Sequence, residues 1–177
     1  MARFTQVDAE TNSIIHEVRE KSHPDMAKCS IVAILATADR PIPAAIVKPS
    51  SPAQRAAGLA DGILVIDATR WGDTSAAGRV AIVAHGLASV APIFRGDRVA
   101  LDASGRPRLR RRPHDIAGCG YGEVLRKYGK RSVEHGALLA IRTASGDAFG
   151  PAGEAAKPSN PTPKPKPASN PRHRPAA

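Results

Sequence analysis

Gly62-Ile-Leu-Val-Ile-Asp67, the turn Ala68-Thr-Arg-Trp71 and the run Val80-Ala-Ile-Val-Ala-His-Gly-Leu-Ala-Ser89 decide how this chain folds. The first stretch is apolar at successive positions rather than alternating ones, which reads as a buried strand. After Trp71 and Gly72, Asp73 and Thr74 offer side-chain oxygens to cap a helix. That helix is expected to run to about Val90, because Val80, Val83, Ala84, Leu87 and Val90 recur at helical spacing.

The same reading extends outward in both directions. Asp8 caps a helix whose face is Ile14, Ile15 and Val18, ending before Pro24. Ser30-Ile-Val-Ala-Ile-Leu-Ala36 is a second buried strand, and Ile42 to Val47 a weaker one, broken by Pro49 and Pro52. Gln54 to Ala57 suits a single helical turn. Downstream, Arg98-Val-Ala-Leu101 and Arg108-Leu-Arg110 read as one hairpin turning on Gly105. Asp115 caps a helix through Val124, Leu125 and Tyr128, and residues 133–141 form the last one. Helix, strands, helix, hairpin, helix is the order of a small α+β domain, placed at residues 1–144. From residue 145 the sequence turns to interleaved Pro and Lys/Arg, with half of the sixteen prolines. Residues 145–177 are therefore expected to be a disordered basic tail with nothing to bury.

A chain of 177 residues has room for one domain and such a tail. Lys and Arg number 26 against 16 acids, a net charge of +10, which implies a polyanionic partner or surface. Aromatic residues make up only 3%, too few for a platform that stacks single-stranded bases. Cys29 and Cys119 stand alone and far apart, which excludes a zinc ribbon or a disulfide framework. No apolar run approaches the roughly 20 residues of a membrane span, and the first residues lack the apolar core of a signal peptide. The expectation is a cytoplasmic protein with no membrane partner.

The strand, the Trp-containing turn and the helix are followed in order by Asp102-Ala-Ser-Gly-Arg-Pro-Arg-Leu-Arg-Arg-Arg-Pro-His-Asp115 and Gly122-Glu-Val-Leu-Arg-Lys-Tyr-Gly129. This ordered set, over residues 10–130, resembles the phage metallopeptidases, a zincin-like family related in logic to SprT-like proteases. The resemblance implies a zincin-like domain whose helix carries His-Glu-Leu-x-His. In such a motif two histidines at i and i+4 hold zinc, and the Glu acts as base on zinc-bound water. Here the window is His85-Gly86-Leu87-Ala88-Ser89, so Gly86 stands at the base position and Ser89 at the second ligand position. The resemblance carries His114 over as the downstream metal ligand, with Asp115 beside it as a supporting carboxylate. His85 and His114 fall one short of the three protein ligands of a catalytic zinc. The expectation is therefore a domain with no catalytic residue and no resident cofactor, holding zinc with low affinity at most and working by binding a protein or nucleic acid. The competing reading is an active zinc metallopeptidase rearranged around His85 and His114.

Two basic clusters suggest sequence-indifferent contact with a nucleic-acid backbone. Arg106, Arg108, Arg110, Arg111 and Arg112 form the first, with strand alternation placing Arg106, Arg108 and Arg110 on one face. Arg126, Lys127, Lys130 and Arg131 form the second at a helix C-terminus, where the dipole favours cations.

Overall fold

Strand β4 (Gly62–Asp67) lies inside a four-stranded sheet, parallel to β2 (Ile31–Thr37) on one side. On its other side β3 (Ala45–Pro49) runs antiparallel and forms one edge of the sheet. The opposite edge is β1 (Arg3–Gln6), antiparallel to β2. The computed structural model describes residues 2–116 and 120–144, without the side chains of Arg142 and Ala144. The expected tail at 145–177 and Cys119 lie outside the described residues.

One face of the sheet carries Ile31, Ala33, Leu35, Leu64, Ile66 and Val47, and it packs under α4 (Ala76–Ala88), against which α1 (Ala9–Ser22) lies in turn. Leu64, Ile66, Val47, Val83 and Leu87 are fully enclosed there, which makes this interface the core. The other face stays open at Val32, which is 49% exposed. The apolar run at 30–36 is thus a strand with one face on the core and a second face that is open at Val32 and closed only at Ala36, which is 2% exposed. Period-two geometry divides its side chains between the two environments.

Local chemistry sets the helix ends. The Asp8 carboxylate accepts from the Thr11 N–H at 2.7 Å and starts α1. Ser75, rather than Asp73 or Thr74, caps α4, its hydroxyl accepting from the Gly78 N–H at 3.3 Å. The cap falls later than expected because α3 (Ala68–Gly72), capped by Asp67, uses the intervening residues. Thr74 spends its hydroxyl on the Arg70 carbonyl. Helix α4 also ends sooner, at Ala88, since Val90 already belongs to β5 (Val90–Pro92).

The hairpin expected across 98–110 is rearranged. β6 (Phe94–Arg95) and β7 (Arg98–Val99) pair with each other, while β8 (Leu109–Arg111) pairs with β5. Of the expected pairing there remain the bridge from Leu101 to Pro107 and the backbone bond from the Arg108 N–H to the Ala100 carbonyl at 2.9 Å. Buried ion pairs account for the difference. Asp102 closes its own turn by accepting from the Ser104 and Arg106 N–H groups, both at 2.9 Å. Arg55, on α2 (Pro52–Ala56), then holds that turn through Asp102 at 2.7 Å and the Pro107 carbonyl at 2.6 Å. Arg106 reaches Asp61, at the entry to β4, at 2.9 Å. The turn is thereby fixed to the sheet, and β8 is delivered next to the edge strand β3. Finally, α5 (Gly122–Tyr128) has its first N–H bound by Asp115 at 2.6 Å, and α6 (Val133–Ala144) follows. Among the described residues no helix is long and apolar enough to cross a membrane.

Candidate functional site

His85 lies in the last turn of α4, and the apolar face that buries α4 also buries it. Directly opposite, the second residue of α6 is Glu134, with 0% exposure. Glu134 Oε1 lies 2.7 Å from His85 Nδ1 and accepts from the Tyr121 N–H at 3.2 Å. An ionised carboxylate can only accept, so in this pair the Nδ1–H donates to Glu134. Glu134 Oε2 is buried with no partner among the described residues. The chain crosses above this carboxylate at Gly120, where a Cβ would stand 2.2 Å from Glu134 Cγ. Only glycine fits there.

The groups above the pair form an aromatic stack. The buried Tyr121 ring lies 5.4 Å from His85 and 4.9 Å from His114, edge-on to the latter. His85 and His114, separated by 29 positions in sequence, come within 5.9 Å between ring centres. His85 is the buried end of the stack, and His114 is its exposed end. Burial pushes the Tyr121 phenol up, aided by Glu134 and Asp115 and opposed by Arg112 and Arg111, so it stays neutral at ordinary pH. For Glu134, burial acts upward, but the hydrogen bond and field of His85 and the backbone donors outweigh it and leave the carboxyl below its usual value. A cleft of about 240 Å³ opens here, bounded by Ile46, Ser89, Arg111, Arg112, His114 and Tyr121.

Gly86 turns away from this cleft and onto the edge strand. A Cβ at that position would fall 2.5 Å from Leu64 Cδ1 and 2.8 Å from Ala45 Cβ. Ser89 is the C-cap of α4, and both of its hydroxyl functions are in use. Its Oγ donates to the Gly86 carbonyl at 2.6 Å and accepts from the Val47 N–H at 2.9 Å. Since Asp67 donates to the Ala44 carbonyl, alternation makes the Val47 N–H one of the outward-facing donors of β3. Ser89 thus ties the helix to the free edge of the sheet. Ser89→Ala is expected to leave that buried N–H without an acceptor and to cost about 1–3 kcal/mol in urea unfolding. An unchanged midpoint would show that water replaces the hydroxyl.

The donor set does not fit a catalytic zinc. Among the described residues no cluster of three His, Cys, Asp or Glu side chains could hold a metal. His85 and His114 supply two imidazoles, and the nearest carboxylate is committed to one of them.

The basic residues divide among several surroundings. Arg106 belongs to the 102–107 turn rather than to a strand, and its guanidinium is spent on Asp61, the Arg55 carbonyl and the Leu59 carbonyl. It therefore does not share a strand face with Arg108 and Arg110. Arg112 is held by Glu123 at 2.8 Å and lies over the Tyr121 ring at 5.6 Å. Arg108, Arg110 and Arg111 are exposed. Of the second cluster, Arg126, Lys127, Lys130 and Arg131 are all exposed, but they point to different places. Lys127 donates to Ser22 of α1 at 2.7 Å, whereas Arg131 borders a separate groove of about 490 Å³ beside α6.

The family model described as "Putative phage metallopeptidase" matches residues 2–140. The chain belongs to that family. No curated protein and no solved structure matches it. The span shared with the phage metallopeptidase family is longer than the resemblance over 10–130. It takes in β1 at one end and Glu134 at the other, so every cleft residue lies inside it. Tyr121 has no role in the sequence reading, and Glu134 enters it only as an acid that could reach the site by coincidence of folding. An acid in the first turn of a helix is what the helix dipole favours anyway, so Glu134 carried no signal of its own.

Proposed function

We propose that this phage metallopeptidase family member binds its partner without hydrolysing it. The observation that carries this reading is the contact of Gly86 with Leu64 and Ala45: the position from which the motif's general base would act has no room for a side chain. The use of both Ser89 hydroxyl functions by backbone groups supports it, because the second ligand position then serves structure rather than metal. Exposed Arg108, Arg110 and Arg111 favour an acidic partner surface, with a nucleic-acid backbone as the class that such charges suit best.

A second reading, weak zinc capture by His85 and His114, is favoured by the bond from His85 Nδ1 to Glu134. Metal-ligating histidines commonly present Nε2 to the ion while Nδ1–H is held by a carboxylate. Metal analysis of the dialysed full chain, together with a peptide-cleavage assay in added zinc, tests both. The expected result is far less than one equivalent of retained zinc and no cleavage. Stoichiometric zinc surviving dialysis, with cleavage abolished by His85→Ala, would overturn the non-catalytic reading.

A further inference from the structure

We propose that the cleft between β8 and His114 is a binding site for an oxyanion, the phosphate or carboxylate group of a partner molecule. The proposal deepens the non-hydrolytic reading and rests on it, since it assigns the cleft to recognition.

The donors converge and the acceptors are withdrawn. Arg111, Arg112 and His114 line the cleft together, with the Tyr121 and Ser89 side chains deeper in and Ile46 as an apolar wall. Arg112 is already oriented, by Glu123 on one side and by the Tyr121 ring beneath it. A guanidinium carries five N–H donors in a planar fork that matches an oxyanion, and Glu123 occupies one arm of it. Arg111 is exposed and has no side-chain partner among the described residues, so its full fork remains available. His114 adds an N–H donor in either tautomer.

The carboxylates near the cleft are each engaged. Glu134 lies under His85 and the Tyr121 N–H with no exposure. Glu123 is on Arg112, and Asp115 is on the N–H of Gly122. Gly86 adds no charge. Apart from the Glu123 carboxylate already on Arg112, no acid offsets the two guanidiniums and the imidazole that face this concavity, and none lines it. The opposing pull of Arg112 and Arg111 on the Tyr121 phenol shows that both positive fields reach the cleft wall. At about 240 Å³ the cleft is smaller than the roughly 300–1,000 Å³ of pockets for drug-sized ligands, which suits one anionic group rather than a whole small molecule.

The test is a titration of the metal-stripped full chain with inorganic phosphate and, separately, with acetate. Amide chemical shifts are followed at ionic strength held constant with chloride. Saturable shifts at Ser89, Arg112 and Tyr121 are expected with at least one of the two anions. Phosphate alone would assign a phosphate-bearing partner, and acetate alone a carboxylate-bearing one. Arg111→Ala and His114→Ala, both at exposed positions, are expected to weaken binding by about tenfold each, the scale of one charge-assisted hydrogen bond. Arg98→Ala, in β7 and beside a different groove, is expected to leave it unchanged. Absence of any saturable shift overturns the proposal. So does an equal loss in the Arg98 variant, which would mean that net charge alone is felt. Zinc retention and cleavage are measured on separate, metal-replete samples, so failure of the non-hydrolytic reading is seen independently of this titration.

Discussion

Gly86→Glu is expected to unfold the domain rather than to restore a catalytic base. Helix α4 lies so close to the edge strand at this point that the first added carbon meets Leu64 Cδ1 at 2.5 Å and Ala45 Cβ at 2.8 Å. Both neighbours are buried, and the Ala45 Cβ is fixed to its backbone with no rotamer to retreat into. Gly86→Ala isolates that steric effect. Alanine gains up to about 1 kcal/mol of helix propensity over glycine. Overpacking a tight interface costs about 1–3 kcal/mol, so a net loss is expected even from a single methyl group. Glutamate adds a carboxylate without a partner in the same interface, a further cost of several kcal/mol. A total above about 4 kcal/mol is expected, read as loss of the cooperative urea transition. Adding Ser89→His to rebuild the whole motif makes matters worse, since it also removes the acceptor of the Val47 N–H. A Gly86→Glu protein with an unchanged transition would show that the edge strand can yield, and the non-hydrolytic reading would lose its main support.

That outcome bears on how far the sequence alone could lead. Hydrophobic spacing located β2, β4, α1 and α4, because these elements bury a continuous face and the pattern is the direct trace of that burial. It missed β1, whose four residues are all exposed and leave no such trace. It mispaired β8 because the partner was decided by Arg55, Asp61, Asp102 and Arg106, an ion-pair network linking segments some fifty residues apart. No local periodicity encodes a contact of that kind. At the site, the resemblance named His85 and His114, and the fold brings their rings together. It also named Gly86 and Ser89 as losses, but only packing shows what replaced them: a close helix–strand contact at one position and a strand-edge hydrogen bond at the other. Spacing alone gave no reason to connect Glu134 with His85, 49 residues earlier.

The connection between His85 and Glu134 carries the other large expected effect. Glu134→Ala is expected to lower stability by about 3–5 kcal/mol, the usual cost of removing one partner from a buried polar pair. For a domain of this size that corresponds to a fall of roughly 10 °C or more in Tm. Part of the loss comes from His85 Nδ1 and the Tyr121 N–H, which would both face an empty, dry space. Glu134→Gln separates shape from charge, since it keeps the size and one acceptor oxygen. Its loss at neutral pH should be smaller, and its acid profile should differ. The Glu134 carboxyl is held below its ordinary value in the folded state, so its contribution is complete above the usual glutamate range near pH 4.3. That contribution disappears as the pH falls through the lowered folded-state value, because protonating the carboxyl then costs the folded form more than the unfolded one. Wild-type protein should therefore show an acid-side decline in urea midpoint that Glu134→Gln lacks. A double-mutant cycle with His85→Ala should return a coupling of about 0.5–3 kcal/mol, as contacting residues in one network do. If Glu134→Ala keeps the wild-type midpoint and the same acid limb, the buried carboxylate is not what holds His85 in place. His85 would then be free to turn its ring, and the fixed arrangement of His85 with Tyr121 and His114 at the cleft wall would have to be supported by stacking alone.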